Sequence, residues 1–307
     1  MDRRAKARLH LGLATLFWGL TFVVIRPLVA VVPPLPLVLL RFAVATLVVG
    51  GLLAARRLRL SRTVRRRGAL MGLVLFGGYF LQTAGLQFTG AGKCAFITAL
   101  YVVLTPLIVW PVMGRRPVRT EFMAAFLALA GMYLLSNPSS RLNPGDLLTL
   151  GSAFCWAIHL ALIDRLHLPG KELELCFVQL AVVTVVSLPL ALVSGVPARA
   201  FDLRPVLGLL YLALPATALV VLWQFRWQPH LGAPSSALIY VGEAVVASTG
   251  GVILFGESLP WFGWLGGAMI LASTGWSVYA SRRSESAAGV RPKEIMEASG
   301  RRRSGSE

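Results

Sequence analysis

Several ionisable side chains stand inside long apolar stretches of this 307-residue chain, and four of them are the first candidates for chemistry. Arg41 lies in LLRFAVA, Lys93 in TGAGKCAFITALY, His159 in CWAIHLALI and Glu243 in YVGEAVVA. A charge held inside a bilayer costs about 2.5–3.5 kcal/mol or more, so such groups are rare there and are usually paired or functional. Carboxylate, imidazole and amine groups can carry a proton or hold a charged solute. We therefore ask which segments position them.

The apolar segments predict an all-α integral membrane protein. Hydrophobic residues make up 56% of the chain and charged residues only 14%, and the mean hydropathy is +0.71. Because one span needs roughly 17–25 apolar residues, the sequence supplies enough for ten transmembrane helices. We place them at 9–32, 36–54, 69–88, 92–113, 121–136, 146–165, 172–194, 205–225, 235–254 and 261–281.

The net charge of +17 has a distribution that points to a membrane rather than to nucleic acid. Basic residues cluster between apolar runs, as in RRLRLSRTVRRRG and GRRPVR. With the N-terminus inside, most of the 30 Lys and Arg residues fall on the cytoplasmic side, as the positive-inside rule requires. We expect an inner-membrane protein of a bacterium, with a lipid bilayer around it and both termini in the cytoplasm.

Two alignments at fixed residue shifts, here called registers, relate the halves of the chain. GAGKCAFI (90–97) matches GAPSSALI (232–239) at a shift of about 142 residues, which also pairs Gln82 with Gln224. A shift of about 138 pairs Trp18 with Trp156. The sequence predicts a first repeat over 1–137, a second over 138–281 and a disordered cytoplasmic tail over 282–307. Five helices per repeat would invert the second copy, an architecture typical of secondary transporters.

Several stretches resemble a known family. LFWGLTFVVIRPLV, GLQFTGAGKCAFITALYVVLTPL, AFCWAIHLALIDR and YVGEAVVASTGGVILFGESL are similar to the repeats of EamA-type transporters in the drug/metabolite transporter superfamily. The resemblance implies a ten-helix permease with a central cavity. It also implies that helices three, four, eight and nine line the cavity with parts of one and six, and that small polar metabolites such as amino acids are moved, often outward.

Candidate cavity residues are the polar and aromatic side chains of these helices: Trp18, Tyr79, Gln82, Lys93, Tyr101, Trp156, His159, Gln224, Tyr240 and Glu243. For Glu243, a proton- or cation-binding role competes with a helix-packing bond. Gln82 and Gln224 can bind a zwitterion or join helices. Trp18 and Trp156 can equally serve packing, and His159 can be a hydrogen-bonded core residue.

The basic residues Arg41 and Lys93 are expected at different positions in the membrane. Arg41 is expected at the periphery as a structural charge, snorkelling or bonded to backbone carbonyls. Lys93 is expected near the external mouth, either as an interfacial anchor or as a rim cation that attracts a carboxylate.

The sequence therefore predicts a secondary transporter, an exporter of amino acids or similar small polar metabolites, with proton coupling through Glu243 or none. An importer or a permease for nucleotide-sugar-like or carboxylate solutes is an alternative, as is a membrane scaffold or lipid-modifying enzyme. We expect no enzyme activity, because no catalytic constellation or nucleotide-binding loop is visible. No cofactor or metal is expected, since the three cysteines lack CxxC spacing. A homodimer is possible.

Overall fold

The computed structural model describes residues 2–89, 91–114, 116–136, 142–256 and 258–287. The predicted repeat boundary at 137/138 and residues 288–307 of the predicted tail lie outside these ranges. The described helices are α1 (Arg3–Val29), α2 (Pro34–Ala55), α3 (Arg62–Gly85), α4 (Ala91–Ala99), α5 (Tyr101–Met113), α6 (Arg119–Ser136), α7 (Pro144–Leu166), α8 (Glu172–Ser194), α9 (Leu203–Ala213), α10 (Val220–Trp227), α11 (Ala233–Tyr240), α12 (Glu243–Phe255) and α13 (Trp261–Ala287).

Eight helical segments of the described chain are long and apolar enough to cross a membrane. They are α1, α2, α3, α7, α8 and three composite segments, α4 with α5, α9 with α10, and α11 with α12. The protein is thus a multi-pass membrane protein. α6 and α13 are helical where the fifth and tenth spans were predicted, but they are not among these eight segments. The total of ten spans therefore stays a prediction. α13 also continues to Ala287, past the predicted end at 281.

Two predicted helices are interrupted at equivalent points of the 142-residue register. The break between α4 and α5 falls at Leu100, and the break between α11 and α12 spans Val241 and Gly242. The N–H of Leu100 donates to the Ile97 carbonyl, and the N–H of its counterpart Gly242 donates to the Ile239 carbonyl. The following bonds, Val103 to Leu100 and Val245 to Gly242, correspond in the same way. The sequence predicted each of these two helices as continuous. That prediction was wrong at the two short turns, which correspond between the halves.

Corresponding helices of the two halves also pack directly against each other. α2 contacts α8, and the hydroxyls of Thr46 and Thr184, partners in the 138-residue register, are 3.0 Å apart. Gly50, one turn after Thr46, packs on the ring of Phe177, which lies two turns before Thr184. Residue numbers therefore rise along α2 as they fall along α8, so the two helices run antiparallel.

The pair α6 and α13 repeats this arrangement through close glycine contacts. A Cβ atom on Gly131 would lie 2.5 Å from the Gly266 carbonyl oxygen, and one on Gly266 would lie 2.3 Å from the Gly131 carbonyl oxygen. Small residues let membrane helices approach this closely, which increases their van der Waals contact. The helices that correspond between halves thus meet at two places, α2 with α8 and α6 with α13.

Apolar packing forms two large clusters that meet at Trp156. One joins α1, α5, α6, α7 and α11, and the other joins α2, α3, α7, α8 and α10. Because α7 contributes to both, it lies between them, and the space between the clusters is where a central cavity forms.

We expect Gly266→Val to lower the thermal unfolding temperature of the detergent-purified protein, because the new side chain cannot fit against the Gly131 carbonyl. Overpacking of this kind costs about 1–3 kcal/mol. Gly275→Val on the same helix is the matched control, since a Cβ there meets nothing within 4 Å. Equal unfolding temperatures for the two variants would contradict the α6–α13 contact.

Candidate functional site: a central cavity

A central cavity lies where the interrupted helices face α1, α2, α3, α7 and α10. The structure brings eight of the ten candidate cavity residues to its wall: Trp18, Tyr79, Gln82, Tyr101, Trp156, Gln224, Tyr240 and Glu243. Lys93 and His159 do not line it.

Two aromatic pairs shape the cavity wall. The Trp18 and Tyr240 rings meet edge to face with centroids 4.9 Å apart, and the Tyr79 and Trp156 rings do so at the same distance. Each pair combines a tryptophan of one half with a tyrosine of the other, so the two repeats share the wall. The Trp18 indole also donates a hydrogen bond to the Ala216 carbonyl at 3.1 Å, which fixes its ring.

The corresponding glutamines differ in their partners. The Gln82 amide donates to Thr98 Oγ1 at 3.2 Å, within the first half. The Gln224 amide donates to Gln228 Oε1 at 3.2 Å, and Gln228 in turn donates to Asp164. Both glutamines line the cavity. Gln82 also joins α3 to α4, whereas Gln224 bonds within its own segment and is linked to α7 only through Gln228.

Glu243 and Tyr101 occupy equivalent places, each as the first residue after a helix break. The described residues give the Glu243 carboxylate no hydrogen-bond or ion-pair partner, and they give none to the hydroxyls of Tyr101 and Tyr240. Buried polar groups are normally paired. The cavity thus presents three unsatisfied polar groups, and a carboxylate at the N-terminus of α12 has a favourable helix dipole behind it.

Arg41 reaches the cavity from α2, in contrast to its expected peripheral position. Its side chain is 4% exposed, so it does not snorkel to an interface. Nε donates to Thr217 Oγ1 at 2.6 Å, and Nη2 donates to the Ala216 carbonyl at 3.1 Å. The guanidinium also lies over the Tyr79 ring, 4.7 Å from its centroid. The expected backbone-carbonyl bond is present, but it holds the charge in the cavity wall.

A π-helical turn explains why Ala216 and Thr217 can hold Arg41. Leu214–Leu219 form this turn between α9 and α10, and it begins next to Pro215, which has no N–H to donate. Thr217 Oγ1 donates to the Leu212 carbonyl, five residues earlier. Widened turns of this kind occur frequently at functional sites. The Ala216 carbonyl there accepts from both Trp18 and Arg41, so one backbone atom positions two cavity side chains.

Lys93 belongs to a different structure, a buried ion pair away from the cavity. Its Nζ is 2.6 Å from Asp146 Oδ2, and the side chains are 9% and 3% exposed. Asp146 also accepts a hydrogen bond from Thr89 and completes a capping box with Asn143 at the start of α7. The expectation of a snorkelling or solute-attracting rim cation is therefore corrected, because a carboxylate of the chain itself already binds Lys93.

His159 faces α8 instead of the cavity. It is fully buried, and its Nε2 is 3.0 Å from Gln179 Oε1. His159 is therefore the hydrogen-bonded core residue that the sequence offered as one alternative, and it links α7 to α8.

The structure adds residues that the sequence did not single out. Thr98, Thr217 and Ala216 position cavity side chains, and Asp146 pairs with Lys93. Pro215, a helix breaker within an apolar span, was the one sequence signal for the turn that holds Arg41. Asp146 follows Asn143 by three residues, the spacing of a helix cap, but nothing in the spacing assigned Lys93 to it.

Comparison with known proteins settles the family. The model of the EamA-like transporter family matches twice, over residues 7–137 and 143–279. The chain belongs to the EamA-like transporter family. The two matches cover most of its length, and they confirm the resemblance seen in the sequence.

Relatives within the family are named as transporters. An uncharacterized transporter of Archaeoglobus fulgidus is 30% identical over 269 residues, covering 88% of this chain and 84% of that protein. A probable amino-acid metabolite efflux pump of Salmonella typhimurium is 26% identical, covering 88% and 94%. A solved crystal structure that is 20% identical, with a TM-score of 0.73, covers 92% of this chain and 99% of that one and shows the same fold.

Lys93→Met should destabilise the EamA-like protein strongly, since it leaves the buried Asp146 carboxylate without its cation. Breaking one side of a buried pair costs about 3–5 kcal/mol. Adding Asp146→Asn should recover part of the loss, as the double variant no longer buries an uncompensated charge. Thermal unfolding of both single variants and the double variant measures the coupling, and strictly additive effects would contradict the pair.

Proposed function

We propose that this protein is a secondary transporter that exports amino acids or similar small polar metabolites by alternating access through the central cavity. The observation that carries the proposal is the pair of equivalent helix breaks at Leu100 and Gly242, beside a cavity that both halves line. In secondary transporters, discontinuous helices from the two repeats form the substrate site near the membrane midplane. The name of the Salmonella relative supports amino-acid metabolites and outward movement.

The architecture that goes with this function is ten spans in two inverted repeats, with both termini in the cytoplasm of a bacterial cell. The antiparallel packing of α2 on α8 and the Thr46–Thr184 contact support the inversion. The clustering of arginines between apolar runs supports the orientation. Relative rotation of the two halves about the pairs α2–α8 and α6–α13 would open the cavity to one side and then the other.

Glu243 is the group we assign to coupling. Its carboxylate lines the cavity, has no partner among the described residues and opens α12 directly after the break. A carboxylate in such a place can bind a proton in one state and a cationic group of the solute in the other. A structural carboxylate would instead be expected to have a hydrogen-bond donor, as Asp146 has.

The direct test uses purified protein in liposomes with a panel of labelled amino acids and an imposed pH gradient. We expect solute flux that the gradient accelerates, and Glu243→Gln should abolish that acceleration. Glu172→Gln, at the start of α8 and outside the cavity, is the control and should behave as the wild type. Absence of flux for every solute would refute transport, and intact pH dependence in Glu243→Gln would refute its coupling role.

A further inference from the structure

Arg41 is a cavity cation with no carboxylate to neutralise it. No acidic side chain of the described residues forms an ion pair with it. Its partners are a hydroxyl, a backbone carbonyl and a tyrosine, none of which carries a full negative charge. Lys93 shows the contrast, since the fold supplies Asp146 to that buried cation.

The bonds that hold Arg41 leave part of the guanidinium available. Nε and Nη2 donate to Thr217, Ala216 and Tyr79, whereas no described residue accepts from Nη1. An arginine has five N–H donors in a planar fork that matches a carboxylate. Nε and Nη2 fix the plane of the guanidinium, and the N–H donors of Nη1 have no acceptor among the described residues.

An acidic side chain lines the same cavity and does not neutralise Arg41. Glu243 lines the wall from α12, and the two side chains form no ion pair. Aromatic side chains, including Trp18, Tyr79 and Trp156, line the same cavity. A small zwitterion with an apolar side chain matches this arrangement, because its carboxylate suits Arg41, its ammonium suits Glu243 and its side chain suits the aromatic wall.

We propose that Arg41 is the specificity-determining residue for the substrate carboxylate, which accepts hydrogen bonds from the Nη1 donors of a guanidinium that the π-helical turn at Leu214–Leu219 holds in place. This inference rests on the proposed transport function and names the chemistry by which the same cavity selects its solute. A compound with the same ammonium and side chain but an amide in place of the carboxylate should bind poorly.

The experiment measures binding rather than flux, through the thermal shift of detergent-purified protein. The probes are leucine and phenylalanine, their amides, which lack the carboxylate, and 4-methylpentanoate and 3-phenylpropanoate, which lack the ammonium. The wild type should bind at least one amino acid at least about tenfold more tightly than its amide. Arg41→Gln should bind that amino acid and its amide equally, while its preference for the amino acid over the deaminated acid remains.

Two further variants separate recognition from folding. Arg41→Lys keeps the charge and should retain a reduced preference for the carboxylate. Glu243→Gln should show the reverse pattern to Arg41→Gln, losing discrimination against the deaminated acid and keeping it against the amide. Equal binding of acid and amide by the wild type, no binding of any probe, or an unchanged preference in Arg41→Gln would overturn the inference.

The same proteins reconstituted in liposomes distinguish the two proposals. Selective binding that depends on Arg41, without any flux, would refute the transport function and leave the recognition role standing. Flux that shows the same acid-over-amide preference in wild type and Arg41→Gln would refute the recognition role and leave transport standing.

Discussion

The cost of placing charge inside a bilayer governs the arrangement of this protein. Among the described residues, the fold treats two sets of buried ionic groups in different ways. Lys93 meets Asp146 and is neutralised at the start of α7. Arg41 and Glu243 are turned toward the same cavity and form no ion pair with each other or with any described residue. The first arrangement stabilises the fold, whereas the second leaves an arginine and a glutamate without an ion-pair partner in the wall of the cavity where we propose that the solute binds.

Backbone groups obey the same constraint, because irregular backbone at membrane depth must be buried in protein or line a cavity. The breaks at Leu100 and Gly242 and the π-helical turn at Leu214–Leu219 all lie beside the cavity. The carbonyl of Ala216 shows the consequence, since it accepts hydrogen bonds from Trp18 and Arg41. These departures from regular helix thus lie where side chains line the cavity. The corresponding helices α2 with α8 and α6 with α13, in contrast, pack closely against each other.

Helices and family could be predicted from the sequence because apolar runs and repeat registers are local or periodic signals. The 142-residue shift already paired Tyr101 with Glu243, and the structure makes both the first residue after a break. The breaks themselves were missed, since Leu100 is an ordinary helix residue and a glycine such as Gly242 is common in membrane helices. The position of Arg41 was missed because it depends on a π-helical turn 175 residues away. Lys93 was misplaced, and the two alternatives for His159 could not be separated, because burial on a given helix face depends on which helix packs there, and composition does not reveal that.

The most direct measurement of alternating access is labelling of one cavity position from each side of the membrane. Thr98→Cys, in a variant whose native Cys94, Cys155 and Cys176 are replaced by serine or alanine, places a thiol beside Gln82 at the cavity wall. A membrane-impermeant thiol reagent is then applied to sealed vesicles of both orientations. The proposed mechanism predicts labelling from both sides, slowed on each side by a solute that binds the cavity. Labelling from one side alone, or equal rates with and without every solute that binds, would contradict it.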